Sequence, residues 1–530
     1  MIAGTSAQEQ AQTFITGKQY SSAMFRLFII FLLTYQVLLS PVPNNGVFQY
    51  IDAHQDEFIQ RLKDWVAIES DSSDPSKRDL VNKMMEMTKD YILKLGGSVE
   101  MAEIGEQELS SGEKIPLPPV ILAELGNDKS KPTVCFYGHM DVQPAKQTDG
   151  WLTEPYTVVE KDDNLYGRGT SDDKGQVLAL LHALESVNVM GLPVNVKLAI
   201  EGMEEVGSDG LEKLVEDKKD TFFSNVDYIV VTDTPWLSKK PGITYGARGN
   251  CYFFIEVLPL VRSPFAFIYS VQNPKQQTGH SIIFIYLVKS TFDLITQSTL
   301  EWTVHEAMSD LIYLLNTLAD GKGRILVPGI YEAVAPVGEN ETDLYKNLEF
   351  SLEEMQADTG VKQFLHDTKE DLLMHRWRYP SLSIHGIEGA FSGTGTKTVI
   401  PAKVIGKFSI RQVPNMEPSV VNKQVTDYLE AKFSERKSPN KIKVTMVIGA
   451  KPWLADMNEP QYLAARRAVK RVFNLEADMI RAGGTIPIAK TLEDVLGKSV
   501  MLLGIGGPDD APHGTKLYAS YLQELSSTSS

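Results

Sequence analysis

The 530-residue chain is longer than one hydrophobic core supports, so its length predicts two domains with terminal extensions. Apolar residues at 43% and charged residues at 23% describe an ordinary globular protein and exclude a fibrous or disordered one. A net charge of −16 with a pI near 5.2 excludes a nucleic-acid partner, which requires a basic footprint.

The first 45 residues carry a signal-like segment. Met24-Phe-Arg26 leads into the apolar run 27–33, and Pro41 and Pro43 follow. A cationic start, a short apolar core and a polar exit fit a secretory signal, whereas a membrane span needs roughly 20 apolar residues. The expectation is therefore a secreted protein without a stable membrane span, a cytoplasmic location being the alternative. Translation from Met1 or from Met24 is left open. The sequon Asn340-Glu-Thr342 agrees with export.

Globular patterning begins near residue 46. Amphipathic helices are expected at 56–66 and 79–95 and a strand at 120–124. Short apolar runs at 133–137, 196–200 and 228–231 read as buried strands, with a helix at 174–187 between the first two. That alternation predicts an α/β fold with a mainly parallel central sheet, in which ligands bind beyond the carboxyl ends of the strands. Gly246-Ala-Arg-Gly249 leads into a new strand at 252–257, and a second domain is expected over 247–451, with a helix at 305–318 and strands at 404–410 and 442–448. Residues 452–530 return to the first domain, begun at 46–246, through a helix at 462–473 and a strand at 500–503. Residues 258–302 are atypical: their apolar run 282–288 is too short to cross a bilayer, and the segment reads either as an extra strand of the second domain or as one not native to the fold. Cys135 and Cys251 both sit in strand-like runs and are expected to be buried thiols.

Five polar clusters carry the chemistry. They are His139 and Asp141 in Gly138-His-Met-Asp141, Asp172 in Thr170-Ser-Asp-Asp-Lys174, Glu204 and Glu205 in Glu201-Gly-Met-Glu-Glu205, Asp233 in Val231-Thr-Asp233, and His513 in Asp509-Asp-Ala-Pro-His513. Each alone is an ordinary turn or solvated face. Several, however, fall just past a strand end, where loops converge. Zinc and manganese accept imidazole and carboxylate donors, and paired ions lie about 3.5–4 Å apart. One ion is expected on His139, Asp172 and Asp233 and the other on Asp172, Glu205 and His513, with Asp172 bridging. Asp141 is expected to steady the His139 imidazole. Glu204, beside a ligand, is the expected general base and later acid for a water held between two divalent ions, Zn²⁺ first and Mn²⁺ second. His182 is expected to be a core or surface histidine.

From residue 48 to 525 the chain resembles the dinuclear metallopeptidase family that includes carboxypeptidase G, aminoacylase and the carnosine dipeptidases, most closely its dipeptidase branch. The resemblance rests on those clusters and on Phe48-Gln-Tyr-Ile-Asp52, Trp65-Val-Ala-Ile-Glu-Ser70, His375-Arg-Trp-Arg-Tyr-Pro-Ser-Leu382, His385-Gly-Ile-Glu-Gly-Ala390, Lys397-Thr-Val-Ile-Pro401 and Gly406-Lys-Phe-Ser-Ile-Arg411. It implies a catalytic domain interrupted by an inserted α+β lid domain that forms a homodimer. It also implies metal ligands at His139, Asp172, Glu205, Asp233 and His513, and active-site carboxylates at Asp141 and Glu204. Substrate contacts are implied at Thr398 of the facing subunit, at Arg411 for a dipeptide carboxylate, and at Thr485. The implied activity is hydrolysis of Xaa-His dipeptides such as carnosine and homocarnosine. The alternatives are a non-specific dipeptidase, a catalytically impaired isoform that keeps fold and metals, and an aminoacylase-like hydrolase.

The chain departs from the family twice. Residues 258–302 stand where the family carries a short His-Ser-Gly segment, and His280 is followed by Ser281 and Ile282 instead. A family loop of about a dozen polar residues after His513 is missing, so Gly514-Thr-Lys516 follows directly.

Overall fold

The computed structural model describes residues 45–109, 111–161, 164–258, 294–296, 304–338, 341–396, 399–506 and 511–527. The signal-like segment, Asn340, Thr398, Asp509, Asp510, His280 and the run 282–288 lie outside the described residues.

Thirteen strands divide between two sheets. The larger holds β1 (Ser98–Ala102), β2 (Val120–Leu125), β3 (Thr133–His139), β4 (Asn195–Glu201), β5 (Tyr228–Val231), β6 (Gly242–Ala247), β11 (Trp453–Leu454), β12 (Asp478–Ala482) and β13 (Val500–Leu502). Between β6 and β11 the chain builds the second, from β7 (Gly249–Leu258), β8 (Ser381–Glu388), β9 (Val404–Gln412) and β10 (Lys441–Ala450). Three short two-stranded pairings complete the described strands, one of them joining Leu294–Thr296 to Val399–Pro401.

In the larger sheet the order is β1-β2-β4-β3-β5-β13-β6-β11, with β12 beside β6. Its centre, β4-β3-β5-β13, is parallel, and β12 is parallel to β6. Antiparallel pairs flank it: β1 with β2, β2 with β4, and β6 with β13 and β11. The sheet is thus mixed, with the expected parallel pairing concentrated at the strands that carry the site.

Every residue of β3 and of β4 is buried, as strands covered on both faces must be. Alternate side chains of β3 enter opposite cores: Val134 and Phe136 join one, Cys135 and Tyr137 the other. The first core is roofed by α1 (Asn45–Ala53), α2 (Gln55–Val66), α3 (Arg78–Lys94), α4 (Lys174–Asn188), α7 (Pro460–Phe473) and α8 (Ala511–Ser526). Helices Leu211–Lys218 and Pro487–Leu496 cover the other. In α3 the buried Val81, Met84, Met85, Tyr91 and Ile92 recur at helical spacing and form its inner stripe.

The second sheet runs β8-β9-β7-β10 and is antiparallel throughout. Cys251, Phe253, Ile255 and Val257 alternate inward along β7 and pack against α5 (Ala307–Asn316) and α6 (Pro418–Arg436). This is an inserted α+β domain with its own core. Both chain crossings between the sheets lie together: a Cβ on Gly249 would stand 2.5 Å from the Ala450 carbonyl oxygen and 2.7 Å from Pro452 N. Only glycine permits that approach. Both cysteines are buried and free, and burial pushes each thiol up to about 12. Among the described residues no helix is long and apolar enough to cross a membrane.

Candidate active site

The parallel strands β3, β4 and β5 end level with one another. His139 closes β3, opposite Glu201 at the end of β4, and Met140 N–H donates to the Glu201 carbonyl across 2.8 Å. Past β4, residues 204–206 form a single 3-10 turn carrying Glu204 and Glu205. Past β5, Thr232 N–H returns to the Tyr137 carbonyl at 3.0 Å and leaves Asp233 at the rim. Asp172 arrives on the loop that opens α4.

These elements bring His139, Asp172 and Asp233 together, with ligand atoms all within 4.8 Å of one another. His139 Nε2 lies 3.1 Å from Asp172 Oδ1 and 3.9 Å from Asp233 Oδ2. The imidazole is fully buried, whereas the Asp172 side chain is 57% exposed and opens the cluster outward. On the other ring edge, His139 Nδ1 is 3.2 Å from Asp141 Oδ1. Asp141 also accepts the backbone N–H groups of Glu204 at 3.2 Å and Glu205 at 3.1 Å. One buried carboxylate therefore aims the imidazole and anchors the Glu204 turn.

Two further residues escape sequence reasoning. Asp173 is buried and its carboxylate accepts from His139 N–H at 3.1 Å and Thr232 Oγ1 at 2.9 Å, tying β3, β5 and α4 into one rim. A Cβ on Gly138 would stand 2.5 Å from Val177 Cγ2 and 2.7 Å from Asp173 Oδ2, so glycine is what lets them close. The Asp172-Asp173 doublet was the available signal, but nothing in it separates the outward residue from the inward one. Gln143 is the other: it donates to the Glu205 carboxylate from its N–H at 3.2 Å and its Nε2 at 2.8 Å. The 65–70 stretch backs the same rim, with Ser70 Oγ donating to Met140 O at 2.7 Å and buried Lys174 Nζ donating to Ile68 O at 2.6 Å.

Electrostatics follow from the crowding. Burial pushes Glu204 up to about 8; His139 opposes this, while Asp233, Asp141 and Glu205 add to it. Burial disfavours a charged His139, but Asp141 and Asp172 outweigh it and raise the imidazole well above its usual value. Clustered carboxylates around an imidazole make a field that a divalent cation would relieve. His139, Asp172 and Asp233 thus fit one such ion.

The other expected residues are placed differently. Glu205 is turned to Gln143; burial raises its carboxyl, Gln143 opposes this, and Asp172 adds to it. His513 stands exposed on the first turn of α8, its ring 5.7 Å from Phe473 and its charged neighbours Lys516 and Asp52. It is not gathered with His139, Asp172 and Asp233. Arg411 lies on β9 and its Nη1 donates to Thr485 Oγ1.

A mixed sheet whose strand ends gather an imidazole and carboxylates, with a buried glutamate beside them, defines a metal-dependent hydrolase with an inserted domain. The chain belongs to peptidase family M20/M25/M40, whose profile matches residues 135–527. A Candida albicans relative, 42% identical over 89% of this chain and 92% of its own, is named a Cys-Gly metallodipeptidase. The Beta-Ala-His dipeptidase of Rattus norvegicus is 51% identical over 92% of this chain and 97% of its own. The crystal structure of human carnosine dipeptidase 1 matches with a TM-score of 0.79 and 49% identity, over 92% of this chain and 99% of that one. The di-peptidase Dug1p of Saccharomyces cerevisiae matches at a TM-score of 0.78 and 39% identity, over 92% and 99%.

Proposed function

We propose that the chain is a metal-dependent dipeptidase that hydrolyses Xaa-His dipeptides such as carnosine and homocarnosine. The observation that carries this reading is the convergence of His139, Asp172 and Asp233 beside a buried Glu204, in a chain 51% identical to a Beta-Ala-His dipeptidase. His139, Asp172 and Asp233 would hold one divalent ion, with Zn²⁺ first and Mn²⁺ second on donor chemistry. Asp172 and Glu205 would serve a second, which His513 was expected to complete. Bound ions supply a Lewis acid for the scissile carbonyl and bring the attacking water's pKa to about 7.

The chain's own groups do the rest. Glu204 takes a proton from the attacking water and returns it to the leaving amine as the C–N bond breaks. Asp141 holds the His139 ring and the Glu204 turn in one geometry. Arg411, beside Thr485, would grip the dipeptide carboxylate, a task that suits a guanidinium's paired donors. Thr398 of a facing subunit would complete the pocket. A homodimer through the inserted domain is supported by the outward face of its sheet, where Tyr252 and Phe254 sit half-buried and Ile448, opposite Tyr252, is 49% exposed. Secretion is supported by the signal-like pattern at 24–43.

Purified, metal-loaded chain incubated with carnosine, homocarnosine, Xaa-Leu dipeptides and N-acetyl amino acids tests the reading. Fastest cleavage of the histidine dipeptides is expected. Equal cleavage of Xaa-Leu would make it a non-specific dipeptidase, and preference for N-acetyl substrates would overturn the dipeptidase reading.

A further inference from the structure

Arg248 belongs to neither sheet: it is the single residue between β6 and β7, where the chain first crosses into the inserted domain. Its backbone N–H is shared between the carbonyls of Ala482 at 3.3 Å and Gly484 at 3.1 Å. Its guanidinium Nε donates to Gly483 O at 2.8 Å, and Nη1 donates to Ser381 Oγ at 2.8 Å and Tyr379 O at 3.4 Å. One side chain thus ties the loop after β12 to the start of β8. Thr485 follows in that loop and accepts from Arg411. Ser381 is itself the register partner of Arg411 on β9. Arg411, expected to meet a substrate carboxylate, and Thr485, an expected substrate contact, are therefore both held in the frame that Arg248 joins.

Charge adds a second observation. Burial depresses Arg248 to about 10, with Arg411 and Arg376 adding like-charge repulsion. Nearby Arg378 and Arg481 both pair with Glu341. Arg248, Arg376 and Arg411 have no carboxylate partner among the described residues. A partly desolvated cationic cluster of this kind is stabilised by an anion.

We propose that Arg248 is a positioning residue for carboxylate recognition: it locks the 483–485 loop and β8 together so that Arg411 and Thr485 meet the C-terminal carboxylate of a dipeptide as one unit, and that carboxylate supplies countercharge to the arginines. The proposal rests on the reading of Arg411 as the carboxylate-binding residue.

Calorimetric binding of an uncleavable dipeptide isostere with a reduced CH₂–NH linkage, as free acid and as C-terminal amide, separates positioning from mere support. Metal-loaded protein is used, with melting temperature and metal content matched. Arg248→Met and Arg248→Lys are expected to weaken the acid by about tenfold or more and the amide by less than about twofold, because small misplacements of binding groups are felt strongly. Lysine keeps the charge but cannot hold the same carbonyl and hydroxyl acceptors. Equal losses on acid and amide, or full restoration by Arg248→Lys, overturn the proposal. If acid–amide discrimination survives Arg411→Met, the carboxylate reading itself fails and the proposal falls with it. If discrimination is lost in Arg411→Met yet intact in both Arg248 variants, only the proposal fails. Should Arg248→Met not fold, Ser381→Ala removes one of its acceptors and carries the same comparison.

Discussion

Asp141 accepts two backbone N–H groups from the turn bearing Glu204 and Glu205 while it faces His139 Nδ1. Glu204 is thereby fixed by its backbone, and its carboxylate is spared for proton handling. Glu204→Gln should leave metal content unchanged and lower turnover by about 10²–10⁴, the usual contribution of a positioned acid–base group. Metal analysis and steady-state kinetics on the same preparation check this, and loss of bound metal would instead make Glu204 a ligand. His139, Asp172 and Asp233 were legible in the sequence because each is a polar residue just past a buried run or before a helix. Asp173 was not, since its partners are a backbone N–H and a threonine hydroxyl just past a distant strand, and such bonds leave no spacing signal. Gln143 was hidden for the same reason, being defined by a carboxylate on another strand's turn.

Helix α8 begins at Ala511, so His513 lies within its first turn, and Lys516 one turn on is paired with Asp52 of α1. With Gly514-Thr-Lys516 directly following, the imidazole is carried with the helix to Phe473. The sequence showed both the histidine and the missing loop, but the consequence depends on where α1 and α7 pack, which no local pattern encodes. The chain is therefore expected to hold one divalent ion more tightly than a second, and inserting about a dozen polar residues after His513, a length at the upper end of ordinary loops, should raise bound metal to two per chain. Mass-spectrometric metal counts after dialysis decide it, and two tightly held ions in the parent chain would contradict the placement. On α4, His182 lies flat on Phe58 with centroids 3.8 Å apart, and its Nε2 has no hydrogen-bond partner among the described residues. Burial, with Arg61 adding, holds it well below its usual 6.5. As pH falls past 6.5 the unfolded histidine takes a proton that the folded one resists, so its stability contribution is present above that pH and lost below it. Chemical denaturation of His182→Phe should show a shallower loss between about pH 7 and 5 than the parent, and identical slopes would show that His182 does not contribute.

Across the molecule, the change of sheets falls at Arg248 and the return at Lys451 and Pro452, where the chain's own glycine and proline already mark turns. The parallel centre was legible because its strands are apolar on both faces. The antiparallel pairing at the flanks was not: β2 was expected as a strand, but β1, β2 and β11 carry no sign of their partners. Nor does the chain announce that β13, whose Val500 pairs with Ile229, lies beside β5. That long-range pairing closes the sheet beside the strand that leads to Asp233. Metal-dependent hydrolysis is tested most directly by histidine release from carnosine by purified chain before metal removal, after chelation, and after reloading with Zn²⁺ or Mn²⁺. Release that disappears on chelation and returns with the ion is predicted; release that persists in the metal-free protein would contradict the account.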